Sequence, residues 1–143
     1  MDALIRILQI AISPVTLISG VGLLVLSMTN RFGRTTDRAR ALALEARTSP
    51  HAAAENLRIQ VRILYRRSRI LLVAISLALA SVFFASLLVI SLFAGSVFNL
   101  DLHIWGGVLF TLSLLSLTLS LVLFIHDMTV ALRALRLELH DHL

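Results

Sequence analysis

The chain has 143 residues, 58% of them hydrophobic and 15% charged, with a formal net charge of +5 and no cysteine. A composition this apolar excludes an ordinary soluble domain, and the missing cysteines exclude a disulfide framework, a thiol redox centre and a thiolate metal site. All thirteen fixed positive charges are arginine. They flank apolar blocks without interleaved aromatics, which fits membrane topology and anionic lipid better than nucleic acid.

Three blocks, Ile7 to Met28, Ile70 to Phe98 and Ile104 to Ile125, each meet the roughly 20-residue requirement for a bilayer-spanning helix. The first is longer than the ~7–15 residue core of a signal peptide and lacks a small-x-small exit, so it reads as a retained span. Along it, Arg6, Ser13, Gly20, Ser27 and Arg34 recur in steps of seven, with Gln9, Thr16, Asn30 and Asp37 beside them. Helical geometry keeps these side chains within roughly a third of the circumference. An unpaired polar group in hydrocarbon is costly, so the stripe must face protein or water. Two readings follow. Stripes from several subunits line a water-filled path, with Pro14 kinking the helix and Arg6 at its mouth, or the small residues form a dry packing seam.

The connection from Asn30 to Arg69 holds ten arginines against Asp37, Glu45 and Glu55, a balance of +7, whereas Asn99 to His103 holds no arginine. The positive-inside rule then places this connection and the C-terminus in the cytoplasm, and the N-terminus outside. Residues 30–69 read as two helical arms of about 20 residues joined at Thr48-Ser49-Pro50, with Ser49 as N-cap and Pro50 in the first helical position. Equal arms predict an antiparallel hairpin, a cytoplasmic stalk with Leu57, Val61 and Leu64 along its seam. Within it, Arg31, Arg34 and Arg38 share a face. They read as an anion or lipid-headgroup site, or as a plain solvated helix start.

Ser76, Ser81, Ser86, Ser91 and Ser96 recur every five residues in the second span, but that step spirals around a helix and makes no common face. Gly95, Ser96 and Asn99 end this span, and Asp101 caps the next. In the third span Gly106, Ser113, Ser116, Ser120 and Asp127 lie within about 80° of one another, a second polar and small-residue seam. A C-terminal cytoplasmic helix continues over about residues 126–140. His126-Asp127 and His140-Asp141-His142 lack the three- or four-residue spacing of a helical metal site, so no metal or cofactor is assigned. No nucleophile elbow, phosphate loop or paired intramembrane carboxylates appear, and the chain reads as a non-enzyme.

Ser13-Pro14-Val15, Gly20, Thr29-Asn30-Arg31, Asp37-Arg38-Ala39-Arg40-Ala41-Leu42 and Arg66-Arg67-Ser68-Arg69-Ile70 resemble the bacterial membrane-protein family called domain of unknown function 2721. The resemblance covers the whole chain in layout and the first span with its extension in motif. It implies a bacterial inner-membrane location and no activity.

The sequence thus predicts an all-α, three-span transmembrane helical bundle with a cytoplasmic antiparallel helical-hairpin stalk, forming a single membrane domain over residues 1–143. Two polar seams in so small a chain imply a homo-oligomer. The expected function is an ion channel with the first span lining the pore. The alternative is a non-conducting structural or interaction protein whose basic stalk binds a cytoplasmic partner or anionic lipid. Membrane lipids are the expected surroundings, and nucleic acid is not an expected partner.

Overall fold

A computed structural model of the chain describes residues 1–141. Those residues form three long helices, α1 (Asp2–Thr48), α2 (His51–Phe98) and α3 (His103–Asp141), with no strand among them. Each helix contains one apolar block and continues beyond it, because no residue between block and extension is strong enough to break it. Pro14 and Gly33 both lie inside α1. A proline removes one backbone donor, which a long apolar helix tolerates when its other bonds and its packing persist.

The breaks fall where local chemistry stops the backbone. At the first, the structure differs from the N-cap assigned to Ser49: its hydroxyl donates to the Glu45 carbonyl at 2.7 Å, and Thr48 Oγ1 donates to the same oxygen at 3.1 Å. Unpaired carbonyls in the last turn of α1 offer the nearest acceptors, so Ser49 closes α1. The Pro50 carbonyl accepts the first bond of α2, from Ala54 N–H at 2.9 Å. At the second break Asn99 takes a left-handed conformation, φ 51°, and Leu100 N–H donates to the Gly95 carbonyl at 3.1 Å. This is the six-to-one closure of a Schellman motif. Glycine suits position 95, since a Cβ there would crowd the Leu100 carbonyl oxygen at 3.3 Å. Asp101 Oδ1 then accepts the His103 N–H at 3.4 Å.

Contacts gather the residues into two compact units. The first joins Met1–Leu26 with Ser76–Ser120, and the second joins Ser27–Ile75 with the stretch from Leu121 onward. In the first unit α2 supplies most of the core, with Ala78, Ser81, Ala85 and Leu88 buried, and Pro14 and Val21 of α1 and Ser113 and Ser120 of α3 are buried as well. Ser113 Oγ donates to the Ser81 carbonyl at 2.9 Å, and the two hydroxyls meet at 3.2 Å. Small side chains at this crossing let the helices approach closely, and the hydroxyls satisfy one another. Of the serines spaced by five, Ser81 is buried while Ser76 and Ser96 are exposed, as a step that spirals around the helix requires.

In the second unit Met28, Leu71 and Ala74 are fully covered, with Thr35, Ala46, Ala54 and Asp127 also buried. Large apolar side chains remain exposed along all three apolar blocks, among them Leu23, Phe83, Phe93, Ile104, Trp105 and Val122. Exposed apolar surface on this scale is not tolerated in water, and three helices are long and apolar enough to cross a bilayer. The chain is a multi-pass membrane protein in contact with lipid.

The Ser81–Ser113 crossing has no room for a larger side chain. Ser81→Leu should destabilise the protein by about 1–3 kcal/mol through overpacking. Ser96→Leu, at an exposed position, should stay within about 0.5 kcal/mol of the parent. Chemical unfolding in detergent micelles measures both.

Candidate functional site

A fully buried carboxylate is the most constrained group in the second unit. The side chain of Asp127 on α3 has no exposed surface. Arg31 of α1 donates its Nε–H to Oδ2 at 2.8 Å, and Arg67 of α2 donates its Nε–H to Oδ1 at 3.2 Å. The guanidinium side chains keep 28% and 18% of their surface, so each straddles the edge of the core. One anion between two cations leaves a net charge of +1. Burying a carboxylate without a partner is costly, and here two charge-assisted hydrogen bonds offset that cost.

The depth of this group follows from sequence position. Arg31 lies three residues past the first apolar block, Arg67 three before the second and Asp127 two past the third. At 1.5 Å rise per residue these offsets amount to about 3–5 Å. All three charges therefore stand where their helices leave the apolar stretch, and one residue from each helix meets at one point. Thr35, one turn along from Arg31, returns its hydroxyl to the Arg31 carbonyl at 3.0 Å and stays buried beneath the cluster.

The stripe on α1 lies on a different face. In the first unit α1 buries Pro14 and Val21, and in the second Met28 and Thr35, a series in steps of seven. Ser13, Gly20, Ser27 and Arg34 each precede one of these residues, so the stripe sits about 100° around the helix from the buried face. Arg6, Gln9, Ser13, Thr16, Gly20 and Ser27 are all exposed. Thr16 Oγ1 donates to the Ile12 carbonyl at 2.9 Å, and Ser19 Oγ donates to that of Val15 at 3.2 Å. A Cβ on Gly20 would meet nothing within 4 Å. Arg6, Gln9, Ser13 and Pro14 also line a cavity with residues of the α2–α3 turn.

The second seam is where α3 turns inward. Ser113 and Ser120 are buried in the first unit, where Gly106 is half-buried with Leu88 Cδ1 3.5 Å from the position of a Cβ. Ser116 is half-buried, and Asp127 occupies the corresponding position in the second unit. Of the three arginines grouped as a headgroup site, Arg31 turns to Asp127 while Arg34 and Arg38 are exposed. His126 is exposed, and the run His140-Asp141-His142 passes beyond the described residues at His142. Among the described residues no three His, Cys, Asp or Glu gather as metal ligands.

Arg67 is the member of this cluster that the sequence does not single out. It counts in the sequence as one of ten basic residues in the connection. The available signal was the need of Asp127 for a cation at its own depth, which only arginines within a turn of the block ends can meet.

A family model described as protein of unknown function (DUF2721) matches residues 11–137, a range that contains Arg31, Arg67 and Asp127. No curated protein and no solved structure matches the chain.

Removing the anion should cost more than removing either cation. Asp127→Ala leaves two guanidinium groups facing each other beside a buried void and should destabilise the fold by about 3–5 kcal/mol. Arg31→Met or Arg67→Met leaves one neutral pair and should cost less. The triple variant Arg31→Met, Arg67→Met, Asp127→Leu should regain most of the stability lost in Asp127→Ala, since apolar side chains of similar volume replace buried ion groups at little net cost. Thermal unfolding in micelles ranks the four proteins.

Proposed function

Since the chain belongs to the DUF2721 family, whose description assigns no activity, we propose from its geometry that it is a homo-oligomeric protein of the bacterial inner membrane whose α1 stripes converge to line an ion path. The observation that carries this reading is the exposure of Thr16, Gly20 and Ser27 on one face of α1, with Ser13 exposed beside a cavity it shares with α2 and α3. Hydrocarbon is a poor environment for that face. Second copies of the same helix, related by rotation about an axis, would cover it while keeping its polar groups beside water.

Ten arginines in the Asn30–Arg69 connection and none in the Asn99–His103 turn support a cytoplasmic connection and an outer N-terminus. In this reading the residues between the first two apolar blocks form an antiparallel helical stalk below the membrane, turned at Ser49-Pro50. Ala46 and Ala54, buried on either side of that turn, support close approach of the two arms. The exposed Arg34 and Arg38 would meet anionic headgroups or a cytoplasmic partner.

A specific observation favours the alternative, a non-conducting scaffold. The Thr16 and Ser19 hydroxyls bond back to their own helix, and Gly20 leaves open space, so this part of the stripe fits a dry contact between copies.

The chain has no cysteine, so each introduced thiol reports alone. In the channel reading Ser13→Cys, Thr16→Cys, Gly20→Cys and Ser27→Cys react with a membrane-impermeant thiol reagent in vesicles, Leu23→Cys and Leu26→Cys do not, and purified protein conducts in planar bilayers. Crosslinking shows an oligomer in either reading. An oligomer without conductance whose stripe thiols are all protected is the scaffold, and a monomer contradicts both.

A further inference from the structure

The first unit contains a cavity of about 940 Å³, near the upper end of the roughly 300–1,000 Å³ range of small-molecule sites. Its wall is amphiphilic. Ile10, Leu88, Leu92 and Phe110 come from within the apolar blocks, with Gln9, Ser13 and Ser91 beside them, whereas Arg6, Asp101 and His103 come from the start of α1 and the α2–α3 turn. An apolar compartment that opens among polar groups at the end of three spans has the character of a lipid site rather than that of a site for a water-soluble metabolite.

The charges narrow the class. Arg6 and Asp101 both line the cavity, yet they form no ion pair with each other or with any other described residue. Asp101 accepts only a long 3.4 Å bond from the His103 backbone, which leaves most of its acceptor capacity unused. Both residues are exposed at the cavity, and two opposite charges there without an ion-pair partner in the chain match a ligand that carries both signs. Arg6 offers the donors that suit a phosphate, and Asp101 offers acceptors that suit an ammonium group.

We propose that this cavity binds a zwitterionic phospholipid with a primary amine, its phosphate on Arg6, its ammonium on Asp101 and its acyl chains along Ile10, Leu88, Leu92 and Phe110. An anionic lipid would satisfy Arg6 and be repelled by Asp101. A choline lipid would meet the charge at Asp101 but has no N–H to donate to it. The site shares Arg6, Gln9 and Ser13 with the α1 stripe, but its lipid contacts are made within one chain and need no second copy.

The test uses the full chain in phosphatidylcholine vesicles carrying a trace of photo-crosslinkable phosphatidylethanolamine or, in parallel, phosphatidylglycerol with the same acyl chains. The ethanolamine probe should label peptides containing Arg6–Pro14 and Leu100–Gly107 about tenfold more than the glycerol probe, a factor on the scale of one charge-assisted hydrogen bond. Arg6→Gln and Asp101→Asn should each lower that labelling about tenfold. Asparagine preserves the cap on α3, so an unchanged melting curve separates loss of charge from loss of fold. Gly107→Leu should abolish labelling by filling the cavity, since Gly107 lines it and a Cβ there meets nothing within 4 Å. Equal labelling by both probes, or labelling insensitive to all three variants, would overturn the assignment. Competition by soluble phosphoethanolamine as strong, mole for mole, as that by unlabelled phosphatidylethanolamine would also overturn it, since the acyl chains would then contribute nothing.

Discussion

Burying a carboxylate is costly unless a partner meets it, and the Asp127 side chain, which has no exposed surface, is met by two arginines. At the ~4 Å scale of such contacts and an effective dielectric constant near 20, each Arg–Asp attraction is on the order of 4 kcal/mol. Desolvation of the three ions and repulsion between the two guanidinium groups reduce the net gain. What survives those costs is geometric. Arg31, Asp127 and Arg67 fix one point on each helix relative to the other two. Sliding any of them by one turn would place a charge about 5 Å too deep or too shallow. The apolar packing of Met28, Leu71 and Ala74 in the same unit specifies register less sharply, because hydrophobic contact is non-directional.

Each unit covers one face of α1. Pro14, Val21, Met28 and Thr35 turn inward, and the polar series one residue earlier turns outward. A helix in a soluble protein places its polar stripe toward water without further consequence. The same arrangement in a bilayer is an unmet requirement, since the exposed face carries Ser13, Thr16, Gly20 and Ser27 where neighbouring positions carry Leu23 and Leu26. The inward face of α3 resolves the same problem within the chain. Its polar residues Ser113 and Asp127 find partners on other helices. One seam is thus closed internally and the other is left open, and this asymmetry motivates the oligomeric reading.

The three helices were legible because length and hydropathy are local properties, and so was the α2–α3 turn, where Gly95, Asn99 and Asp101 carry short-range backbone chemistry. The orientation of α1 was not. Its conspicuous heptad series is the exposed one, while the buried series of Pro14, Val21, Met28 and Thr35 has no compositional mark that distinguishes it. The partners of Asp127 were hidden for another reason: they lie 96 and 60 residues away. Local spacing groups Arg31 with Arg34 and Arg38 and merges Arg67 into a run of arginines. Ser49 shows the same limit at short range, where two competing roles, closing one helix or opening the next, are decided by which backbone group lies nearer.

The arrangement of Asp127 between two arginines is open to direct measurement by solid-state NMR on the full chain in lipid bilayers, with the aspartate carboxyl carbons and arginine Nε atoms isotopically labelled. Charge-assisted contacts of this length place each Nε within about 4 Å of the carboxyl carbon. Asp127 should show dipolar coupling to two arginine Nε sites, one lost in Arg31→Met and the other in Arg67→Met. Coupling to neither arginine, or to a single one that neither substitution removes, would contradict it.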